Sequence, residues 1–190
     1  RGINLDYIHF HSFPAINKQA IDNVKKLLEI LTKYQLKSKL YLVPLLGIQQ
    51  KVMELIPDKY WVIFFRRFMI YIANIIGLKN ESVALVTGDS VGQVASQTLS
   101  NIRAISDVSN LPILRPLAGM NKENIVNRAK EIGTYDISIL PYEDCCSFFV
   151  PPHPETKAKM QQIDRLDSKL DLTDLVNKAI RDTEKINMNF

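Results

Sequence analysis

Cysteine is almost missing from this chain: two occur in 190 residues, Cys145 and Cys146, and they are neighbours. Such a pair cannot supply the spaced framework of a small secreted domain, so a disulfide scaffold is excluded and a reducing, cytoplasmic setting fits best. An uncharged membrane-length run is missing too. The longest apolar stretch, Tyr60 to Leu78, carries Arg66 and Arg67 at its middle, where a charge in a bilayer costs roughly 3 kcal/mol apiece. It reads as a buried amphipathic helix, with no membrane partner. There is no charged-then-apolar leader; Arg1-Gly2 runs straight into a strand-like segment, which suggests the interior of a longer protein. Nor does one sign of charge dominate. With 24 basic and 20 acidic residues, a net charge of +4 and a pI near 9.0, nucleic acid is permitted as a partner but not demanded. Repeats and low-complexity tracts are absent.

What the chain has is an ordinary globular composition, 46% hydrophobic and 23% charged, enough for one sizeable core. Ile3 to Phe10 alternates apolar and polar residues and ends in His9-Phe10-His11-Ser12 before Pro14, which predicts a strand delivering side chains to an edge. Asn17 can cap a helix bearing Ile21, Val24, Leu28 and Leu31, and Lys39 to Val43 reads as a second strand. A helix containing Ile48, Val52 and Leu55 should stop at Ile56-Pro57, and a long helix should then run from Asp58 to Gly77. Ser82 to Val86 reads as a buried strand turning through Thr87-Gly88-Asp89-Ser90 into a helix over Val91 to Ile105. Asn121 should cap a helix with Ile125, Ala129 and Ile132 inward, ended by Gly133. From Glu155 onward the spacing is helical, notably Thr173 to Ile186. Strands alternating with helices predict an α/β domain, a mostly parallel sheet with helices on both faces and ligands at the strands' carboxyl ends. Residues 1–154 form that domain and 155–190 a helical C-terminal extension of it.

Several residues carry two readings. Gly88 can let a ligand approach the backbone ahead of free helix N–H groups, or mark an ordinary strand-to-helix turn. Arg66 can neutralise phosphate or be a salt-bridged helix charge, and the Gln97 amide can read an adenine edge or ribose. For His9 the plainer reading, a satisfied strand histidine, is favoured. Lys122 is a first-turn surface lysine or an active-site cation. The cysteine pair can be small buried hydrophobes, yet the acidic loop between Pro141 and Pro151 is a setting where a thiolate could be reached. Neighbouring acids would raise a thiol pKa, so activation must come from elsewhere, with Lys122 one candidate.

Taken together, the segments His9-Phe10-His11-Ser12, Arg66-Arg67, Thr87-Gly88-Asp89-Ser90 through Gln97-Thr98, Leu114-Arg115-Pro116-Leu117, Gly133 through Ser138 and Tyr142 through Cys146 come in one order over nearly the whole chain. In that order the sequence resembles the tRNA 4-thiouridine synthetases, tRNA sulfurtransferases also linked to thiamine biosynthesis. Their catalytic domain is a PP-loop ATP pyrophosphatase, an adenine nucleotide alpha-hydrolase-like fold. The resemblance implies nucleotide contacts at His9, Phe10, Arg66, Gly88 and Gln97. It places the sulfur-relay cysteine at Cys145 by ungapped counting from Lys122, or at Cys146 by the downstream prolines, and it puts Lys122 near phosphate or RNA. It further implies ATP with Mg2+, tRNA as partner, a cysteine desulfurase as persulfide donor, and sulfur transfer to uridine 8, with thiazole synthesis a second role and homodimerisation open. The family's Ser-Gly-Gly-x-Asp-Ser loop, which cradles pyrophosphate, does not occur in these residues; its family position precedes Arg1, and without it the fragment alone is expected to be inactive. The alternative is a non-catalytic nucleotide- or RNA-binding module on the same fold.

Overall fold

The structure is a computed structural model, and it describes residues 3–142, 149 and 151–189. The chain divides into two compact units, one of residues 1–46, 121–148 and 181–190, the other of residues 47–120 and 149–180.

The first unit is built on strands β1 (Tyr7–His11) and β2 (Lys37–Pro44), which pair in parallel with Tyr7 opposite Leu40 and His11 opposite Pro44. A parallel pair needs a crossover, and helix α1 (Gln19–Thr32) provides it. The N-cap position expected for Asn17 is held by Lys18, whose side chain makes no capping hydrogen bond; Asn17 sits one residue earlier, its Oδ1 accepting the Gln19 N–H at 2.9 Å. The apolar stripe of α1 closes on the sheet: Ile21 and Leu28 cluster with Leu40 and Leu42, and Tyr7, Val24, Leu31, Ile186 and Met188 pack against them. The last two residues expose an error in the sequence reading. Helix α8 (Thr173–Arg181) stops five residues short of Ile186, and the tail becomes strand β5 (Glu184–Asn189), antiparallel to β2 with Ile186 opposite Leu40. Pairing with β2 and the burial of alternate residues override a local pattern that fits a helix. The three-stranded sheet is thus mixed, in the order β1-β2-β5. Helix α5 (Lys122–Glu131) and the single turn α6 (Tyr135–Ser138) complete this unit. Asn121 caps α5, Oδ1 accepting from Asn124 N at 2.8 Å, and Gly133 at φ +75° comes after its end, as anticipated; Ile125, Ala129 and Ile132 are half-buried.

The second unit is organised by helix α3 (Trp61–Lys79), entered through a 3-10 turn at Asp58–Tyr60 after helix α2 (Leu46–Leu55) ends ahead of Pro57. The stretch 58–79 is long and apolar enough to cross a membrane by length and composition, but over half of its most apolar window is buried within the molecule. Ile63, Phe64, Phe65 and Ile72 are among the largest fully buried side chains. The strand expected at Ser82 to Val86 is only β3 (Leu85–Val86), half-buried to exposed, paired in parallel with β4 (Ile113–Leu114). The helix expected from Val91 starts only at Leu99. Residues between form turns and a 3-10 segment (Ala95–Gln97), with Gly92 at φ +82°, and helix α4 (Leu99–Ser106) is capped by Thr98, whose hydroxyl accepts from Asn101 N. Gly92 occupies the left-handed region that an L side chain avoids, so a continuous helix cannot pass through it. Helix α7 (Met160–Asp167) and α8 pack in this unit through Ile163, Leu166, Val176 and Ala179, all buried.

Candidate nucleotide site

In the second unit, β3 and β4 run in parallel with Val86 opposite Leu114, so the residues just beyond both strands leave from the same edge. From β3 comes Thr87-Gly88-Asp89-Ser90 and from β4 comes Arg115. The Thr87 N–H donates to Leu114 O at 3.0 Å and Val91 N–H to Ala118 O at 3.2 Å, which ties the two exits together. The entry to β4 is fixed as well. Buried Asn74 on α3 accepts through Oδ1 from Asn110 N (3.0 Å), Leu111 N (3.1 Å) and Ser109 Oγ (3.2 Å).

At that edge Asp89, only 4% exposed, is the centre of a polar knot. Its Oδ1 accepts from Arg66 Nη2 and, at a long 3.5 Å, from Gln97 Nε2. Its Oδ2 accepts from Thr87 Oγ1 (2.8 Å) and Arg115 Nε (3.1 Å). Arg66 also donates from Nη1 to Ser96 Oγ at 3.1 Å, and Arg115 from Nη2 to Ser106 Oγ at 2.8 Å. Burial pushes the Asp89 carboxyl pKa upward, but the Arg66 charge and the hydrogen bonds from Arg66, Thr87 and Arg115 outweigh it, and the net direction is below the usual carboxylate range. The group stays ionised. Two guanidiniums then face one carboxylate, and the knot carries an excess positive charge partly removed from water.

The structure therefore brings Arg66 and Gln97 onto one carboxylate and sets Gly88 next to it in sequence. Gly88 has no left-handed backbone, and a Cβ there would meet nothing within 4 Å. The fold does not demand glycine at this position, and open space lies beside the backbone. The helix N–H groups expected just after it are not there: Gly92 N–H is taken by Gln97 O at 2.9 Å, and the α-helix begins at Leu99. Gln97, expected to read a base or ribose, donates to Asp89 instead in this structure.

His9 and Phe10 belong to the first unit. They are half-buried on β1, opposite Leu42 and Val43, and line with His11, Ser12, Ile16 and Ile21 a small cavity of about 10 Å³. That is room for about one water. Burial lowers the neighbouring His11 pKa, Glu184 opposing and Lys18 adding to the shift. Lys122 is exposed at the first position of α5, with no ion-pair partner among the described residues. Cys145 and Cys146 lie outside the described residues.

Asp89, Thr87, Ser96, Ser106 and Arg115 were not singled out from the sequence as site residues. One signal was available: Arg115 comes directly after a short apolar strand, as Asp89 nearly does, and parallel strands present the residues beyond their carboxyl ends at one edge.

The thiamine biosynthesis protein (ThiI) family matches residues 1–172. The chain is 46% identical over 186 residues to "Probable tRNA sulfurtransferase" of Halothermothrix orenii, covering 97% of this chain and 47% of that protein. It is 44% identical to the protein of the same name from Geobacillus kaustophilus, covering 98% and 46% respectively. A crystal structure of a 4-thiouridine synthetase–RNA complex with bound ATP superposes with a TM-score of 0.94 at 38% identity, over 100% of this chain and 50% of that one. The chain spans about half the length of the curated relatives it matches. Its α/β fold is that of the PP-loop ATPases, and by the extent of the family match, residues 1–172 of 190, the chain belongs to the thiamine biosynthesis protein (ThiI) family.

Proposed function

We propose that this chain is the nucleotide-binding part of an ATP-dependent tRNA sulfurtransferase, acting in the cytoplasm to convert uridine 8 of tRNA to 4-thiouridine. The observation that carries the reading is the Asp89 knot: two arginines on one buried carboxylate, within the residues that the family match covers. A cluster with excess positive charge and spare guanidinium N–H groups suits a phosphate. The related structure holds ATP and RNA, and both are assigned here on that ground.

In this reading Arg66 holds a phosphate of ATP and Gly88 leaves room for the nucleotide beside the β3 exit. The C4 oxygen of the uracil attacks the α-phosphorus of ATP; the O–P bond of an adenylate forms as the bond to pyrophosphate breaks, which turns that oxygen into a good leaving group. A persulfide on one cysteine, loaded by a cysteine desulfurase, attacks C4 through its terminal sulfur; the C–S bond forms and the C–O bond to AMP breaks. A second thiolate then attacks the cysteine sulfur of that persulfide, forming a disulfide and leaving the terminal sulfur on C4. Cys145 or Cys146 takes one of these thiol roles, and Lys122, exposed and without an ion-pair partner among the described residues, supplies a cation for phosphate or RNA. Mg2+ finds no group of three His, Cys, Asp or Glu side chains among the described residues, so it would arrive with the nucleotide's own phosphates. Delivery of sulfur to thiazole synthesis is a second role of the same chemistry.

The test is ATP-dependent thiolation of tRNA by the gene product at its encoded length, comparing Cys145→Ser and Cys146→Ser. One of them abolishes sulfur transfer while leaving ATP binding intact. If neither lowers it, the relay assignment fails; binding of tRNA with no ATP-dependent thiolation at all leaves the non-catalytic binding module standing.

A further inference from the structure

We propose that Asp89 and Arg115 are positioning residues for Arg66, with Arg115 keeping Arg66 available to an anion by taking a share of the Asp89 charge. The inference rests on the nucleotide reading above. Arg66 and Asp89 alone would form a closed, neutral pair with little attraction for a phosphate. The structure does not leave them alone. Each carboxylate oxygen has its own arginine, Oδ1 facing Arg66 and Oδ2 facing Arg115.

The two arginines are used differently. All three nitrogens of Arg115 are engaged by the protein: Nε by Asp89, Nη1 by Ile113 O at 3.4 Å and Nη2 by Ser106 Oγ at 2.8 Å. Its backbone continues directly from β4, and the Asn74 side chain on α3 holds the turn into that strand. Arg115 is thus a fixed counter-charge. Arg66 donates once from each terminal nitrogen, to Asp89 and to Ser96. A guanidinium offers five N–H donors in a rigid fork, so most of those on Arg66 remain for a ligand while its orientation is held. Thr87 adds a neutral donor to Oδ2, which anchors the carboxylate without cancelling its charge. These groups share one compact unit.

The test is a double-mutant cycle on ATP affinity, measured by calorimetry with the gene product at its encoded length. Arg66→Gln and Arg115→Gln should each weaken ATP binding by about tenfold, while the double variant binds no more weakly than Arg66→Gln alone, because Arg115 acts only through Arg66. Arg115→Lys, which keeps the charge, should recover most of the affinity. Additive losses, an unaffected Arg115→Gln, or an Arg115→Lys as weak as the glutamine variant would each overturn the proposal. Should Arg115→Gln not fold by circular dichroism, Ser106→Ala releases only Nη2 of Arg115 and should cost about threefold in the parent and nothing in the Arg66→Gln background. No loss, or an equal loss in both, overturns the proposal too. A different result marks the failure of the underlying reading: Arg66→Gln binding ATP as well as the parent removes the nucleotide site itself.

Discussion

Arg66 and Arg67 are consecutive on α3, yet they meet opposite environments. On the Arg66 side the carboxylate is the buried partner: Asp89 is 4% exposed, while the Arg66 and Arg115 side chains keep 18% and 15% exposure. On the Arg67 side the arginine is the buried partner, 4% exposed, and Asp167 is 43% exposed. Arg67 also donates from Nη1 to Ala104 O and lies 5.9 Å from the Phe64 ring centre, so it pins α3 to α4 and α7. A buried anion flanked by cations that reach toward solvent is arranged to receive something negative. A buried cation whose counter-ion faces water is arranged to hold helices together. The charges are similar; the order of burial separates a knot whose cations reach toward solvent from a structural pin.

The comparison breaks first at Asp89. Asp89→Ala strips the shared acceptor from Arg66, Arg115 and Thr87 and leaves two guanidiniums facing each other in a partly dry setting. Removing one partner of a buried charge cluster costs about 3 kcal/mol or more, and chemical denaturation should report a loss of that order. A loss under about 1 kcal/mol would mean that the knot is solvated like a surface pair.

Acid should act on the same side with a smaller effect. The Asp89 pKa is depressed on folding, so the unfolded chain takes up this proton first as pH falls. Its contribution to stability is complete above the unfolded value, about 3.9, and is lost as pH drops through the folded value below it. The stability difference between the parent and Asp89→Asn should therefore be constant from neutrality to about pH 5 and shrink below about pH 4. A difference that changed near neutrality would reassign the titration to another group.

Much of this architecture was legible because it rests on local patterns. The stripes of α1 and α3, the proline stop after α2 and the Asn121 cap with Gly133 beyond α5 are written in short windows. What was not legible depends on partners far along the chain. β5 exists because Ile186 and Met188 find the β2 face; by themselves, 184–189 read as a charged helical tail. The helix drawn from Val91 ignored Gly92 and the side chains of Asp89 and Ser90, which are held by Arg66, Arg115 and Met120 O. Nor could adjacent arginines be told apart by composition. Successive helical residues point about 100° apart, and only the positions of Asp89, 23 residues away, and Asp167, 100 residues away, decide which arginine joins which carboxylate.

Asp167→Asn gives the smallest expected effect and the sharpest contrast with Asp89. The substitution removes a charge that water already screens, and asparagine retains an oxygen able to accept from Arg67 Nη2. Exposed pairs contribute about 0–1 kcal/mol, and Arg67 keeps Ala104 O and the Phe64 ring, so a loss of about 1 kcal/mol is expected by chemical denaturation, with ATP affinity unchanged. A loss as large as that of Asp89→Ala would show that Arg67 depends on a full counter-charge despite the exposure of Asp167, and the division between pin and knot would fail. A change in ATP affinity without a change in stability would break it the other way, since the coupling would then run along α3 from Arg67 to Arg66.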